Sequence, residues 1–259
     1  MGVGCHSWGN TPYECNASMR LEHNLLRKGG LRVVLEIGVN MKQRLLSLIV
    51  VLLVARFSRG QDTQPTTRPS TVGMVAASAA EVNPLQVGDH VPSAVLKSVD
   101  GKPVDLNTEI AKEPTVLIFY RGGWCPFCNR QMSGLQSIVK DLNDAGYQLL
   151  AISPDQPEEL AKSIQNHALT YTLFSDTKSA TIKAFGLAFK VSNPTYERML
   201  NLGIDLEKAT GDTSHVLPVP AVFILGTDGV IRFVHYDPNF KVRMDPAEIL
   251  KAAKKALKS

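Results

Sequence analysis

The sequence predicts a mixed α/β fold: one central β-sheet, helices on both of its faces, and a β-hairpin ahead of the main body. Three observations carry this. Residues 115–120 form a continuous β-branched and aromatic run, the character of a strand buried on both faces. Strand-like and helix-like stretches alternate downstream of it. Two Asp-Gly turns, Asp100-Gly101 and Asp228-Gly229, each stand between short apolar runs and signal hairpins.

The elements run in order along the chain. Ala94-Val95-Leu96 and Val104-Asp105-Leu106 are the arms of the first hairpin. After the buried strand comes a Gly-Gly turn, then a helical stretch from 126 to about 145, where Met132, Leu135, Ile138, Val139 and Leu142 recur at helical spacing. Residues 147–152 read as the next strand. Pro157 opens a helix with Leu160, Ala161 and Ile164 on one face. Thr172-Leu173-Phe174 is a short strand, with a helix after it near 179–185. Residues 187–217 are a polar excursion in which Asn193-Pro194 opens a helix to about 208. Residues 221–225 and 230–235 are the arms of the second hairpin, and Asp245-Pro246 caps a last helix to about 257.

The chain has 259 residues, 44% hydrophobic and 20% charged, which excludes collagen-like, disordered and disulfide-dense classes. It is long enough to bury a core without metal or disulfide staples. The net charge of +4 is unevenly spread: residues 1–60 hold 8 basic and 3 acidic side chains, and the remainder is close to neutral at −1. The main body therefore offers no electrostatic footprint for nucleic acid.

The basic excess belongs to a leader. Met41-Lys42-Gln43-Arg44 precedes an apolar run from Leu45 to Ala55, and Ser58 and Gly60 stand at −3 and −1 of a cut before Gln61. This is the pattern of a secretory signal peptide at 41–60. The run falls short of the roughly 20 residues that span a bilayer, so no stable span is expected after cleavage; an uncleaved anchor is the alternative. Residues 1–40 read as a non-native or over-long upstream segment, and the spacing of Cys5, His6, Cys15 and His23 matches no zinc pattern. Residues 61–84, rich in Thr, Ser, Ala, Gln and Pro, read as a flexible tether. The folded domain is expected over 85–259, with an exported, periplasmic or other extracytoplasmic location.

Trp124-Cys125-Pro126-Phe127-Cys128 carries the chemistry. The Cys-x-x-Cys falls where a buried strand ends and a helix begins. Unpaired N–H groups and the helix dipole stabilise a thiolate there. The two-residue spacing puts both sulfurs on one turn, within disulfide reach. Pro126 suits the first helical turn, where its missing N–H is not needed. A dithiol that attacks and resolves is the minimum kit for thiol–disulfide exchange. A structural disulfide would gain little from so short a loop. A zinc site would need two further ligands, and His167, His215 and His235 lack ligand-like spacing.

The stretch Phe119-Tyr120-Arg121-Gly122-Gly123-Trp124-Cys125-Pro126-Phe127-Cys128-Asn129 resembles the active-site segment of the thioredoxin superfamily, and within it the peroxiredoxin-like branch of the alkyl hydroperoxide reductase/thiol-specific antioxidant (AhpC/TSA) family. The likeness extends over 85–259, including Gly88-Asp89 and the second hairpin. It implies a thioredoxin-like fold and a thiol-dependent antioxidant oxidoreductase. Two templates overlap. Against thioredoxin-like reductases, Cys125 is the exposed nucleophile, Cys128 the resolver, and Pro220 the cis-proline facing the dithiol. Against peroxiredoxins, Cys128 falls on the peroxidatic cysteine, with Arg121 where that motif has Pro, Cys125 where it has Thr, and Pro220 where the family places an arginine. These departures put fast peroxidase catalysis in question.

Arg121 could favour a thiolate, although a strand-end arginine ordinarily faces solvent. The buried carboxylate beneath the thioredoxin dithiol corresponds to Phe119, so proton transfer to the resolving thiol would need water or another group. Trp124 is expected to shield the dithiol. The 187–217 excursion, with Tyr196, Arg198 and Met199, is expected to border it.

The implied activity is reduction of a hydroperoxide with formation of a Cys125–Cys128 disulfide, which an external thiol or dithiol donor of thioredoxin-like type re-reduces. The alternative is a reductase of protein disulfides. Neither requires a metal or organic cofactor. Two further classes stay open: an exported disulfide donor, and a non-enzymatic domain with a structural disulfide.

Overall fold

The computed structural model describes residues 73–257. The upstream segment, the leader and the first part of the tether lie outside the described residues. The elements are β1 (Val95–Lys97), β2 (Pro103–Asp105), α1 (Leu106–Ile110), β3 (Thr115–Phe119), α2 (Pro126–Gln136), α3 (Val139–Asp144), β4 (Gln148–Ser153), α4 (Pro157–His167), β5 (Thr172–Ser175), α5 (Ala180–Ala184), β6 (Ala188–Lys190), α6 (Asn193–Asn201), α7 (Leu206–Thr210), β7 (Val216–Pro218), β8 (Ala221–Leu225), β9 (Ile231–Tyr236) and α8 (Pro246–Ala256). A short 3₁₀ turn covers Ala79–Glu81. Among the described residues no helix is long and apolar enough to cross a membrane.

The main sheet has the order β2-β1-β5-β4-β3-β8-β9. β3, β4 and β5 are parallel, joined by crossovers through α2–α3 and α4, while β8 and β9 close one side antiparallel. The β1–β2 hairpin adds to the far edge through Lys97 against Ser175. All five β3 residues are buried, as their uninterrupted apolar run requires.

Alternation along β3 divides the core. Val116, Ile118 and Tyr120 face α2, α3, α4 and α8, whereas Leu117 and Phe119 face a second cluster with Ile182, Phe185 and Phe223. Phe119 stacks there with Phe185 and Phe223, at ring-centroid distances of 4.7 and 5.8 Å. Both cysteines of the Cys-x-x-Cys belong to the Tyr120 side.

Several local expectations need correction. The helix expected from 126 to 145 is two helices. Gly134 weakens it, and the Ser137 hydroxyl turns back onto the Gly134 carbonyl at 2.7 Å, ending the first helix. The helix expected from 193 to 208 is also two. It ends at Leu202, with Gly203 next at φ +77, and restarts where Asp205 accepts from the Lys208 N–H at 3.0 Å. Leu106 is not a strand residue but the first of α1, capped by Asp105. The tether is not loose from residue 73 onward: Ala76 exchanges backbone hydrogen bonds with Ala188 and Lys190 of β6, and Leu85 donates to Phe185.

Candidate functional site

Register assembles the site. Phe119, at the end of β3, pairs with Ile152 on one side and Ala221 on the other. The dithiol loop leaves β3 just after Phe119. It therefore lies between the segment leading from Ile152 to Asp155 and the segment entering Ala221, which carries Pro220, buried between β7 and β8.

The loop at 121–125 is tightly tied. Cys125 donates its N–H to the Gly122 carbonyl at 3.2 Å, and Asn129 reaches back from α2 to the Gly123 carbonyl at 2.9 Å. The Gly123 N–H donates to Asp155 Oδ2 at 2.7 Å. Gly122 adopts φ +149, a conformation that L side chains rarely take. A Cβ there would collide with the Trp124 indole nitrogen and lie 2.6 Å from Asp155 Oδ1.

Cys125 is the N-cap of α2 and Pro126 its first residue. Both cysteines are free thiols, with exposures of 1% for Cys125 and 0% for Cys128. The expectation of an exposed nucleophile is thus corrected: the first cysteine is buried in the core cluster on the Tyr120 side of the sheet. The two sulfurs differ electrostatically. Cys125 is pulled down to about 5, first by a hydrogen bond from the Cys128 thiol, against the cost of burial; the N–H groups of Cys128 and Phe127 and the Arg121 charge add to it. Cys128 is pushed well above the ordinary thiol value, first because it donates to Cys125 and then by burial.

Arg121 does not face solvent. It is 8% exposed, with its guanidinium carbon 4.1 Å from the Phe240 ring centroid and 5.1 Å from that of Trp124. Burial lowers its pKa, and the neighbouring dithiol, Cys125 first, opposes that. Arg243, which sequence reasoning missed, donates through Nη2 to Cys128 Sγ at 3.5 Å. Its Nη1 is held by the carbonyls of Phe240 and Val242. The 237–245 loop thus returns from β9 to close the site. A cleft of about 370 Å³ opens beside it, lined by Phe127, Arg130, Gln131, Lys241, Arg243 and Met244 among others.

Trp124 packs on a third cluster formed by Val191, Met199, Leu206 and Leu217, with Tyr196 at its edge. The excursion therefore touches the site through Trp124. Met199 is buried in that cluster, Tyr196 stacks on His215 with centroids 3.9 Å apart, and Arg198 is exposed and not brought to the site. Asp155, also missed, is fully buried, and burial raises its carboxyl to about 7 against the pull of the Gly123 N–H. Its only sequence signal is its place just past the end of a buried strand.

A reduced dithiol at a strand-to-helix junction, beside two arginines on a mixed five-strand core of thioredoxin type, defines a thiol-dependent oxidoreductase. The comparisons agree. The AhpC/TSA family model matches residues 87–234. Peroxiredoxin Bcp of Escherichia coli K12 is 31% identical over 137 residues, 52% of this chain and 86% of its own. A putative peroxiredoxin bcp of Haemophilus influenzae is 34% identical over 106 residues, 41% of this chain and 68% of its own. In fold, peroxidoxin BcpB of Mycobacterium tuberculosis superposes with a TM-score of 0.53 at 19% identity, covering 67% of this chain and 97% of that one. Reduced Prx3 of Vibrio vulnificus in complex with H2O2 gives 0.54 at 14%, covering 66% and 99%. The chain belongs to the AhpC/TSA family and is a peroxiredoxin-type, thiol-dependent peroxidase.

Proposed function

We propose that Cys125 is the attacking thiolate and Cys128 the resolving thiol in the reduction of a hydroperoxide. The observation that carries this is the position of Cys125 as the N-cap of α2, just after the buried Arg121, where its thiol is drawn down to about 5 while that of Cys128 is pushed up.

The thiolate attacks one peroxide oxygen and the O–O bond breaks. The sulfur becomes a sulfenic acid, and the departing alkoxide takes a proton from solvent to leave as an alcohol. Cys128 then attacks the sulfenic sulfur. The S–S bond forms, and hydroxide departs with the Cys128 proton as water. An external dithiol returns two electrons by exchange through a mixed disulfide. Arg121 supports the first thiolate. Arg243, beside Cys128 Sγ, favours loss of the second proton. Trp124 and Pro220 line the surroundings of the dithiol, and Pro126 starts the helix without wasting an N–H.

Stopped-flow oxidation of the reduced protein by hydroperoxide tests this. Cys125→Ser is expected to abolish the reaction. Cys128→Ser is expected to keep the first oxidation and block turnover. The reverse pattern overturns the assignment.

A second reading is favoured by one observation. The low-pKa thiol is the first cysteine of the pair, and Pro220 occupies the place before β8, as in disulfide reductases. If peroxide reacts slowly while a mixed-disulfide substrate reacts fast, both through Cys125, the chain is a reductase. Export rests on the 41–60 leader alone; N-terminal sequencing of the secreted protein should read from Gln61, and a retained leader contradicts it.

A further inference from the structure

Asp155 is buried, yet only half of its carboxylate is used. Oδ2 accepts the Gly123 N–H at 2.7 Å, while Oδ1 has no partner. The backbone that carries it is anchored on both sides. It continues from β4, and the next residue, Gln156, is fastened to α7 by its N–H to the Ala209 carbonyl at 2.8 Å and by its amide to the Lys208 carbonyl at 2.9 Å. The Gly122–Trp124 loop, which follows Arg121 and runs directly into Cys125, itself 1% exposed, hangs on this bond and on the Asn129 amide.

We propose that Asp155 is a positioning residue that governs access to the dithiol: its carboxylate latches the Gly122–Trp124 loop shut through the Gly123 N–H, and a proton on Asp155 releases it. A charge-assisted bond to a carboxylate is about twice as strong as a bond to a neutral acceptor, so protonation loosens the loop without removing any residue. The groups around Asp155 do not supply a fixed countercharge. Glu159 of α4 and Tyr120, just after β3, are acids, and the Trp124 indole and Ser153 hydroxyl are uncharged. Ser163 of α4 packs against Gly123 itself. Burial places the transition near neutrality, at about 7.

The access role rests on the reading of Cys125 as the attacking thiol; the latch itself does not. In the reduced full chain, oxidation rates with cumene hydroperoxide and with hydrogen peroxide are compared from pH 5.5 to 8.5. Their ratio cancels the titration of Cys125. It should fall at least threefold as pH rises through about 7. In Asp155→Asn, which cannot ionise, it should stay flat at the acid value. A flat wild-type ratio, or an Asp155→Asn profile that still falls, overturns the proposal. A measurement on the wild-type protein needs neither variant nor turnover: the Gly123 amide resonance should titrate with a midpoint near 7. No titration there removes the latch whichever cysteine attacks. A titrating amide with an unchanged rate ratio overturns the access role.

Discussion

Two adjacent parallel strands end in a buried aspartate, and the two are used in opposite ways. Asp176, just after β5, spends both oxygens on backbone donors: Oδ1 on Ala180 at 2.9 Å and Oδ2 on Ile182 at 2.8 Å. It starts α5 and stands on the face away from the cysteines, where Ile182 and Phe185 fill the core. Asp155, just after β4, spends one oxygen on the dithiol loop and leaves the other unpartnered. Burial raises the pKa of both. The lesson lies in completeness. At the end of β5 the polar group is matched and serves the fold. At the end of β4 it is incompletely matched, as are Tyr120 Oη, Arg121 Nε, Trp124 Nε1 and Arg243 Nε around the same dithiol. Unpaired side-chain atoms also stand at the end of β5, at Ser175 Oγ and Thr181 Oγ1, so the contrast rests on the two carboxylates and what each one holds.

Substitutions at the dithiol and at the two strand ends tell site from scaffold. Cys125→Ser should lower the peroxide rate constant by at least about 10³-fold, because a hydroxyl is not ionised near neutrality, and should leave the denaturation midpoint nearly unchanged. A large stability loss would place the thiol in the scaffold. Arg243→Met should slow disulfide formation by about tenfold in single turnover while leaving the first oxidation unaltered. Removing a charge 3.5 Å from Cys128 Sγ raises that thiol further, and about 1.4 kcal/mol corresponds to one pKa unit.

Asp176→Asn should cost roughly 2 kcal/mol in urea denaturation with activity retained, since an amide can accept from one N–H but must face the other with its own donor. Asp155→Asn should go the other way at pH 8.5, stabilising by an amount of order 2 kcal/mol, because its amide oxygen can keep Gly123 while no charge is buried. The sign comes from linkage. A carboxyl raised from 3.8 to about 7 in the folded state binds its proton more readily there than in the unfolded chain. Wild-type stability from this group is therefore full below about 4 and is lost as pH rises through about 7. Equal pH slopes for wild type and Asp155→Asn would contradict it.

Much of this was legible in the sequence, because local rules govern it. The all-apolar β3, the strand-to-helix junction and Pro126 at the first helical position together put Cys125 and Cys128 at the start of a helix, where they stand. The breaks after Gln136 and Asn201 were hidden by apolar periodicity that runs through them, although Ser137, Gly203 and Asp205 held the signals. Arg121 turns inward between the rings of Trp124 and of Phe240, the latter more than a hundred positions later. Arg243 and Asp155 come to the dithiol through loop return and strand register. No spacing rule along the chain encodes either.

The most direct test is to track the Cβ carbon shifts of the two selectively ¹³C-labelled cysteines in the reduced protein, from pH 3.5 to 10, since these report each sulfur separately whatever its exposure. Cys125 should titrate near 5, and Cys128 should stay a thiol through neutrality. A Cys128 that ionises in the acid range while Cys125 remains protonated would contradict this, and would move the attack to the second sulfur.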